Sequence, residues 1–173
     1  MFRIKIPVLI FTSALLINAC SFSDATSQDA GPEAYVFYPD VISTKEFSEN
    51  SISFTKDEKM LFISRPKDWD HQSGHLSEKR NGQFSVTKAI KQLDTIYNGA
   101  ISPSGNKVIF SVKKNQKEEI FLLSKKNGEW DAIENISERS NIYGGYFYWL
   151  DEEELYFYSP ENNGDVVNGL LKD

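Results

Sequence analysis

The stretch ISPSGNKVIF, residues 101–110, decides the fold. It contains the end of one apolar run, a polar turn with Ser, Pro and Gly, and the start of a second apolar run. Turn-forming residues between apolar runs predict two antiparallel strands joined as a hairpin. The segments FTKDEKMLF at 54–62 and YWLDEEELYF at 148–157 have the same order. The leading apolar residues of the three segments are 47 positions apart in both intervals, so the hairpin is predicted to repeat.

A second hairpin recurs at nearly the same interval. The pairs Asn81-Gly82 and Asn127-Gly128 each lie between apolar runs and are 46 residues apart. Asn-Gly is typical of a type I′ turn, because both central residues of that turn require positive φ. Two hairpins per period give four short strands, which is the sequence pattern of a β-propeller blade.

The chain is therefore predicted to be all-β, with blades built from an inner strand a, strands b and c, and an outer strand d. The predicted strands are a at 50–54, 98–102 and 145–150; b at 59–64, 107–112 and 154–159; c at 75–79, 119–124 and 166–172; and d at 83–87 and 129–133. An aromatic segment at 34–38 predicts a leading d strand, which in a closed propeller would pair with strand c of the last blade. The expected units are the leading segment 34–49 and blades at 50–96, 97–144 and 145–173, the last without strand d.

Residues 101–110 resemble the core of the WD40-like (PD40) repeats in TolB-type propellers, and Gly128-Glu129-Trp130 resembles the start of their outer strand. The resemblance covers residues 34–173 as three partial repeats and implies a TolB-like propeller fold. The first and third repeats lack the Pro-Asp-Gly turn of the family. Asp57 and Asp151 are expected to close those two turns through Asx hydrogen bonds.

The number of repeats raises a question of completeness. Residues 34–173 number 140, close to three periods of 47, whereas propellers typically close with about 4 to 8 blades. The sequence leaves three alternatives open: the N-terminal part of a longer propeller, a truncated product, or a fragment that assembles with copies of itself. Unpaired sheet edges would favour self-association.

The first 19 residues are predicted to be a secretory signal peptide. Arg3 and Lys5 precede an apolar stretch at 6–17 that is too short to span a bilayer. The segment LINAC that ends at Cys20 resembles the bacterial lipobox, which implies cleavage before Cys20 and acylation of this residue. The alternatives are an incidental thiol in an ordinary secretory signal and an uncleaved anchor. Residues 20–33 are expected to consist of the lipidated Cys and a flexible tether of small polar residues.

The lipoprotein resemblance also implies a location. Ser21 follows Cys20 where an inner-membrane retention signal has Asp, so an outer-membrane anchor facing the periplasm is expected. Cleavage removes two basic residues, and the mature charge is 17 − 25 = −8. Because this charge does not attract anionic lipid, membrane contact is expected through the lipid anchor.

Charge and composition exclude some functions. The chain has 19 Lys and Arg against 25 Asp and Glu, a net charge of −6, whereas nucleic-acid-binding proteins carry basic surfaces. A nucleic-acid partner is therefore not expected. One Cys allows neither an intramolecular disulfide nor a Cys-based metal cluster.

The loop after the first strand b holds the candidate contact residues. His71 and His75 are the only histidines and have Asp68 and Asp70 beside them. His and Asp are zinc ligands, but a pair at i, i+4 suits a helix, which Gly74 disfavours, so a solvated insertion without metal is predicted.

Trp69 lies in the same loop and is expected to pack over a blade face rather than on a ligand-facing rim. If the rim loops at 65–74 and 161–165 bind a partner, the residues expected to contact it are Trp69, His71 and His75.

Two further sequence patterns each allow a ligand-binding interpretation and a purely structural one. The acidic run 151–154 offers oxygens suited to calcium, but a solvated hairpin turn is favoured. The aromatic run 143–149 could stack a sugar, but packing between blades is favoured because alternate residues of a blade strand face the core.

No catalytic motif is present: the chain has neither a Gly-x-Ser-x-Gly elbow nor a phosphate-binding loop. No cofactor is predicted, and a carboxylate pair for glycoside hydrolysis is left open. The expected function is a membrane-anchored, non-catalytic platform that binds a protein or envelope polysaccharide. The alternatives are a fragment of a propeller hydrolase whose catalytic residues lie outside this chain, and a non-functional remnant.

Overall fold

The computed structural model describes residues 35–160 and the backbone of 166–170. In this part of the chain the strands are β1 (Asn50–Phe54), β2 (Met60–Pro66), β3 (Gln72–Arg80), β4 (Gln83–Phe84), β5 (Lys88–Ala89), β6 (Asn98–Ile101), β7 (Lys107–Lys114), β8 (Lys117–Lys126), β9 (Glu129–Asn135), β10 (Gly145–Trp149), β11 (Glu154–Tyr158) and β12 (Val166–Leu170). A 3₁₀ helix covers Lys91–Leu93, and helix α1 covers Ile136–Ser140. No helix in the described residues is long and apolar enough to cross a membrane.

The strands form three antiparallel sheets in chain order, which we call blades one, two and three. Blade one has the order β1-β2-β3-β4, with β5 also paired to β3; blade two is β6-β7-β8-β9; blade three is β10-β11-β12. The inner strands of consecutive blades are neighbours, β1 beside β6 and β6 beside β10. This arrangement confirms the predicted all-β partial propeller.

The two Asn-Gly turns have the predicted geometry. Asn81 and Gly82 have φ of 51° and 79°, and Asn127 and Gly128 have φ of 53° and 85°. Positive φ at both central residues matches the twist of the flanking strands, so these pairs fix the hairpins β3–β4 and β8–β9.

Each blade has two packing faces because side chains alternate along a strand. We call the face that carries Leu61 in blade one, Val108 in blade two and Leu155 in blade three the preceding face of each blade. The opposite face is the following face. The core between blades one and two contains Phe62, Ile90, Leu93, Ile96, Ile101, Val108, Phe110 and Leu123. The core between blades two and three contains Ala100, Ile109, Ile120, Leu122, Ile136, Trp149, Leu155 and Phe157.

The third repeat is offset by one residue from the sequence alignment. The last residue of each inner strand pairs with a residue near the start of the next strand, as Phe54–Leu61, Ile101–Val108 and Trp149–Leu155. Trp149, rather than Tyr148, therefore corresponds to Ile101. The reason is the turn: residues 150–154 separate the pair in blade three, one fewer than residues 55–60 or 102–107 in the other blades.

Of the outer strand predicted at 83–87, only Gln83–Phe84 forms a strand (β4), and β5 begins beyond the predicted range at Lys88. Between them, the Ser77 hydroxyl donates to the Ser85 carbonyl oxygen, and the Glu78 amide donates to Ser85 Oγ at 3.2 Å. The Ser85 amide also donates to the Glu78 carbonyl oxygen at 2.9 Å, so Ser85 stays bonded to β3 although the regular strand ends at Phe84.

The prediction of a leading strand at 34–38 is wrong for the described residues 35–38, because none of them lies in a strand. Positive φ at Tyr38 (44°) and Asp40 (60°) turns the chain. The apolar side chains of the turn then pack on blade one instead of forming a sheet edge. We call residues 37–49 the cap, since Ile42, at 1% exposure, lies against the preceding face of this blade.

Candidate binding groove

A cavity of about 690 Å³ lies where the three inner strands end and their turns begin. We call this cavity the inner groove. Four large apolar side chains that line it are exposed: Ile52 (47%), Phe54 (40%), Tyr148 (65%) and Leu150 (51%). Ala100 and Ile101 of β6 lie between them. The groove is therefore apolar, open to solvent and built from all three blades.

Residue size explains why the surface is concave. Gly99-Ala100 in the middle strand stands at the positions of Ile52-Ser53 in β1 and Phe147-Tyr148 in β10, counting back from each strand end. A Cβ on Gly99 would lie 2.9 Å from the Ile109 carbonyl oxygen. The backbone of β6 therefore packs closely and forms a low floor between bulkier walls.

The walls also differ from the floor in backbone regularity. The pairing of β1 shifts register between Asn50 and Ser53, and that of β10 shifts between Gly145 and Tyr148. Bulges of this kind redirect side chains away from the regular pleat. Strand β6 pairs without a shift, so the redirected side chains lie at the two sides of the groove.

Hydrogen bonds connect the turns at the rim. The Lys56 amide donates to the Pro103 carbonyl oxygen at 2.9 Å, and the Ser104 amide donates to Glu152 Oε1. Lys107 Nζ donates to the Glu152 carbonyl oxygen at 3.4 Å. Each turn is thus attached to the turn of the next blade.

Asp57 and Asp151 close their own turns as the sequence predicted. Asp151 Oδ1 accepts hydrogen bonds from the amides of Glu153 and Glu154, both at 2.8 Å, and these bonds lower the pKa of Asp151. Asp57 Oδ1 accepts from the Lys59 amide at 3.1 Å and from the Thr55 hydroxyl, which lowers the pKa of Asp57. The acidic run 151–154 therefore forms a turn.

The rim loop predicted at 65–74 is shorter in the structure, because β3 begins at Gln72. Trp69 is 95% exposed at its tip, so the expectation that it packs over a blade face is wrong. His71 Nδ1 lies 2.8 Å from Asp68 Oδ1, and this hydrogen bond lowers the pKa of Asp68.

His75 lies in β3 rather than in the loop, so the structure does not bring it to His71. Its Nε2 is 2.9 Å from Ser73 Oγ, and burial, with smaller effects of Arg65 and Lys67, lowers its pKa. Its Nδ1 is buried without a hydrogen-bond partner, whereas a Ser-His-Asp site needs a carboxylate to orient that nitrogen. Within residues 35–160 no group of three or more His, Cys, Asp or Glu side chains could hold a metal ion.

A polar cluster that the sequence did not indicate lies at the start of β6 and β10. Hydrogen bonding to Tyr146, followed by burial, raises the pKa of Tyr97 to about 12. Asn98 Oδ1 accepts from the Tyr146 amide at 3.0 Å, but Asn98 Nδ2 and Glu118 Oε2 are buried without partners. Burial raises the pKa of Glu118.

The aromatic run 143–149 divides between core and surface. Trp149 is buried and Phe147 packs against the same core, as the packing interpretation predicted, but Tyr146 and Tyr148 are more than half exposed. Cys20 and the predicted rim loop 161–165 lie outside the described residues.

Comparisons with known proteins show a similarity to a solved structure. No family model matches the chain, and no curated protein matches it. The crystal structure of TolB from Acinetobacter baumannii is similar over 72% of this chain and 33% of that chain, with 16% sequence identity and a TM-score of 0.42. The chain thus spans about a third of the length of that protein, and the similarity concerns the fold alone.

Proposed function

We propose that this chain is a non-catalytic binding protein that holds a short apolar segment of a protein partner in the inner groove. The observation that carries this proposal is the convergence of four exposed apolar side chains on a single cavity. Binding sites are typically concave and mostly apolar, with a few polar groups that set orientation. Exposed apolar groups gathered in one place favour an interaction surface over ordinary solvent-facing surface.

The rim supports a peptide rather than a polysaccharide as the ligand. Lys56 lies on one side of the groove and Asp151 on the other, so the rim offers both signs of charge. Apolar anchors would supply most of the affinity, and the rim charges would fix the direction of the bound segment. An envelope polysaccharide lacks the apolar side chains that would fill the cavity.

The test uses peptides that are selected from a displayed random-peptide library for binding to the whole protein. Trp149 lines the groove, so its fluorescence reports binding once Trp69 and Trp130 are replaced by Phe. Leu150→Ser should weaken the selected apolar peptides by at least about tenfold, which corresponds to ~1.4 kcal/mol. The matched control is Ile133→Ser, which removes a similarly exposed side chain, 49% exposed, from outer strand β9.

The control should bind like the parent protein. Equal affinity of the Leu150→Ser variant, or no enrichment of apolar peptides in the selection, would count against the inner groove as the binding site. If an envelope polysaccharide binds in the fluorescence assay and peptides do not, the partner is a polymer rather than a protein.

We also propose that a lipid on Cys20 anchors the protein in the bacterial envelope, on the outer membrane facing the periplasm. The LINAC segment, the Ser after Cys20 and the apolar run before it support this proposal. Two or three acyl chains hold a protein firmly, because each buried methylene contributes about 0.8 kcal/mol. Cys20→Ala should abolish labelling by radioactive palmitate and release the protein from washed membranes; unchanged retention would contradict the anchor.

A further inference from the structure

The cap occupies a surface that is built like a blade-packing face. Leu61 and Ile63 stand at the positions of Val108 and Phe110, which pack against blade one from blade two. In blade one the same positions are 0% and 1% exposed, because the cap covers them. The cap therefore takes the place that the preceding blade has on blades two and three.

Side-chain contacts hold the cap on the blade. Ile42 packs into the apolar cluster, and Arg65 Nη2 donates to its carbonyl oxygen at 3.1 Å. Arg65 Nε forms an ion pair with Glu49 Oε1 at 3.7 Å, too far for a hydrogen bond, and is buried without a hydrogen-bond partner. Glu49 Oε1 in turn accepts from the amide and hydroxyl of Thr44, at 3.1 and 2.9 Å.

The backbone of the cap is not part of the sheet. Its β-bridge, Pro39 with Ser43, and the bonds that the Tyr38 carbonyl accepts are internal to the cap. In contrast, β2 is hydrogen-bonded to both β1 and β3. A segment held by side chains opens at a lower free energy than a paired core strand, so the cap can lift while blade one stays folded.

The opposite end of the described blades carries a complementary surface. Tyr156 has the position on the following face that Phe62 and Ile109 occupy in blades one and two. Phe62 and Ile109 are buried by the next blade. Beside Tyr156, Tyr148 and Tyr158 are 65% and 37% exposed. In the described residues no blade covers this tyrosine-rich face.

We propose that the cap masks a docking surface for a second copy of this chain, which binds through the following face of its blade three once the cap lifts. Packing of a following face on a preceding face is the contact that this chain already makes twice, between blades one and two and between blades two and three. Tyrosine is enriched at protein interfaces, which suits the exposed face. The contact is head-to-tail, so one copy can bind another without either using the same surface twice.

The first experiment places a charge under the cap of the whole chain, with Cys20→Ser to remove lipid-mediated association. The parent should have the mass of one chain by light scattering and sedimentation. Ile42→Asp should expel the cap and raise the mass at least about twofold as the concentration rises. Val86→Asp adds the same charge at a site that is 66% exposed and should leave the mass of one chain.

A second substitution identifies the docking face. Tyr156→Asp, added to Ile42→Asp, should restore the mass of one chain, because it places a charge on the other partner surface. A single-chain mass for Ile42→Asp would overturn the proposal. Association that persists with Tyr156→Asp would also overturn it, since this is the behaviour of an exposed apolar face that aggregates without a specific partner.

Two measurements cover the case in which Ile42→Asp fails to fold. Arg65→Met removes the bond to the Ile42 carbonyl without adding a charge, and the same mass criteria apply to it. Hydrogen exchange on the unaltered cap needs no substitution. Cap amides should exchange faster than those of β2 through local opening, and equal exchange of the two segments would overturn a cap that lifts on its own.

Discussion

The indole Nε1 of Trp149 donates a hydrogen bond to the Ala100 carbonyl oxygen at 3.2 Å, joining blade three to blade two. A second inter-blade bond runs from the Ile101 amide to Ser53 Oγ at 2.9 Å, joining blade two to blade one. The inner strands are therefore connected by polar contacts as well as by the two apolar cores.

Trp149→Phe should lower the free energy of unfolding. The variant keeps an aromatic ring in the core but loses the donor to Ala100, and a lost hydrogen bond costs about 1–2 kcal/mol. Urea denaturation measures the effect. The control is Trp69→Phe, the same substitution at 95% exposure, and a similar loss in both variants would show that the Ala100 bond contributes nothing.

Gly128→Ala should destabilise the protein through backbone conformation alone. Gly128 has φ +85°, and a Cβ there would have no neighbour within 4 Å, so the cost of about 1 kcal/mol comes from forcing a residue with Cβ into the left-handed region. Gly82, with φ +79° and equally open space, should give the same loss in thermal unfolding. Full stability of both Ala variants would contradict the type I′ turns.

Glu118→Gln should change how stability depends on pH. Burial raises the folded pKa of Glu118 above its ordinary value of 4.5. Its contribution to stability is therefore complete below that value and is lost as pH rises through the folded pKa, where the buried carboxyl must ionise. Gln stays neutral, so the variant should gain stability relative to the parent at neutral pH but not at low pH.

The measurement is a series of denaturation curves from acidic to neutral pH. Glu129→Gln serves as the control because Glu129 is exposed. A Glu118→Gln variant that tracks the parent across the whole range would show that desolvation of this carboxyl has no energetic weight.

His75→Gln should reduce the loss of folding stability that the parent shows at acidic pH. Burial lowers the folded pKa of His75 below its ordinary value of 6.5, so the unfolded chain binds the proton first as pH falls. The parent should lose stability from about pH 6.5 downward until the folded pKa is reached. The variant should lack this loss, and His71→Gln should retain it; an unaltered slope in His75→Gln would assign the loss to another group.

Local sequence patterns predicted the strands well where strand and turn chemistry coincide. Strand β1 has the predicted bounds Asn50–Phe54, and both Asn-Gly turns were located because positive φ requires such residues. The one-residue offset in blade three was not predictable from spacing. Tyr148, Trp149 and Leu150 are all apolar enough to be the residue that corresponds to Ile101 at the end of the inner strand. The pairing of Trp149 with Leu155 decides among them.

Tertiary contacts decided the features that the sequence predicted wrongly. The segment predicted as the leading strand has an aromatic composition, but packing of Phe37 and Tyr38 against the cluster that contains Leu61 and Ile63 overrides that propensity. The inner groove was missed because Ile52, Tyr148 and Leu150 are far apart in the chain and meet only when the blades stack. The contrast of Gly99-Ala100 with the bulkier residues of β1 and β10 was the available signal.

The bonds between successive turns, from the Lys56 amide to the Pro103 carbonyl oxygen and from the Ser104 amide to Glu152, have a consequence for affinity. They hold the walls of the inner groove at a set width before any ligand arrives. A preorganised site loses little conformational entropy on binding. A peptide that enters it therefore has to order only itself.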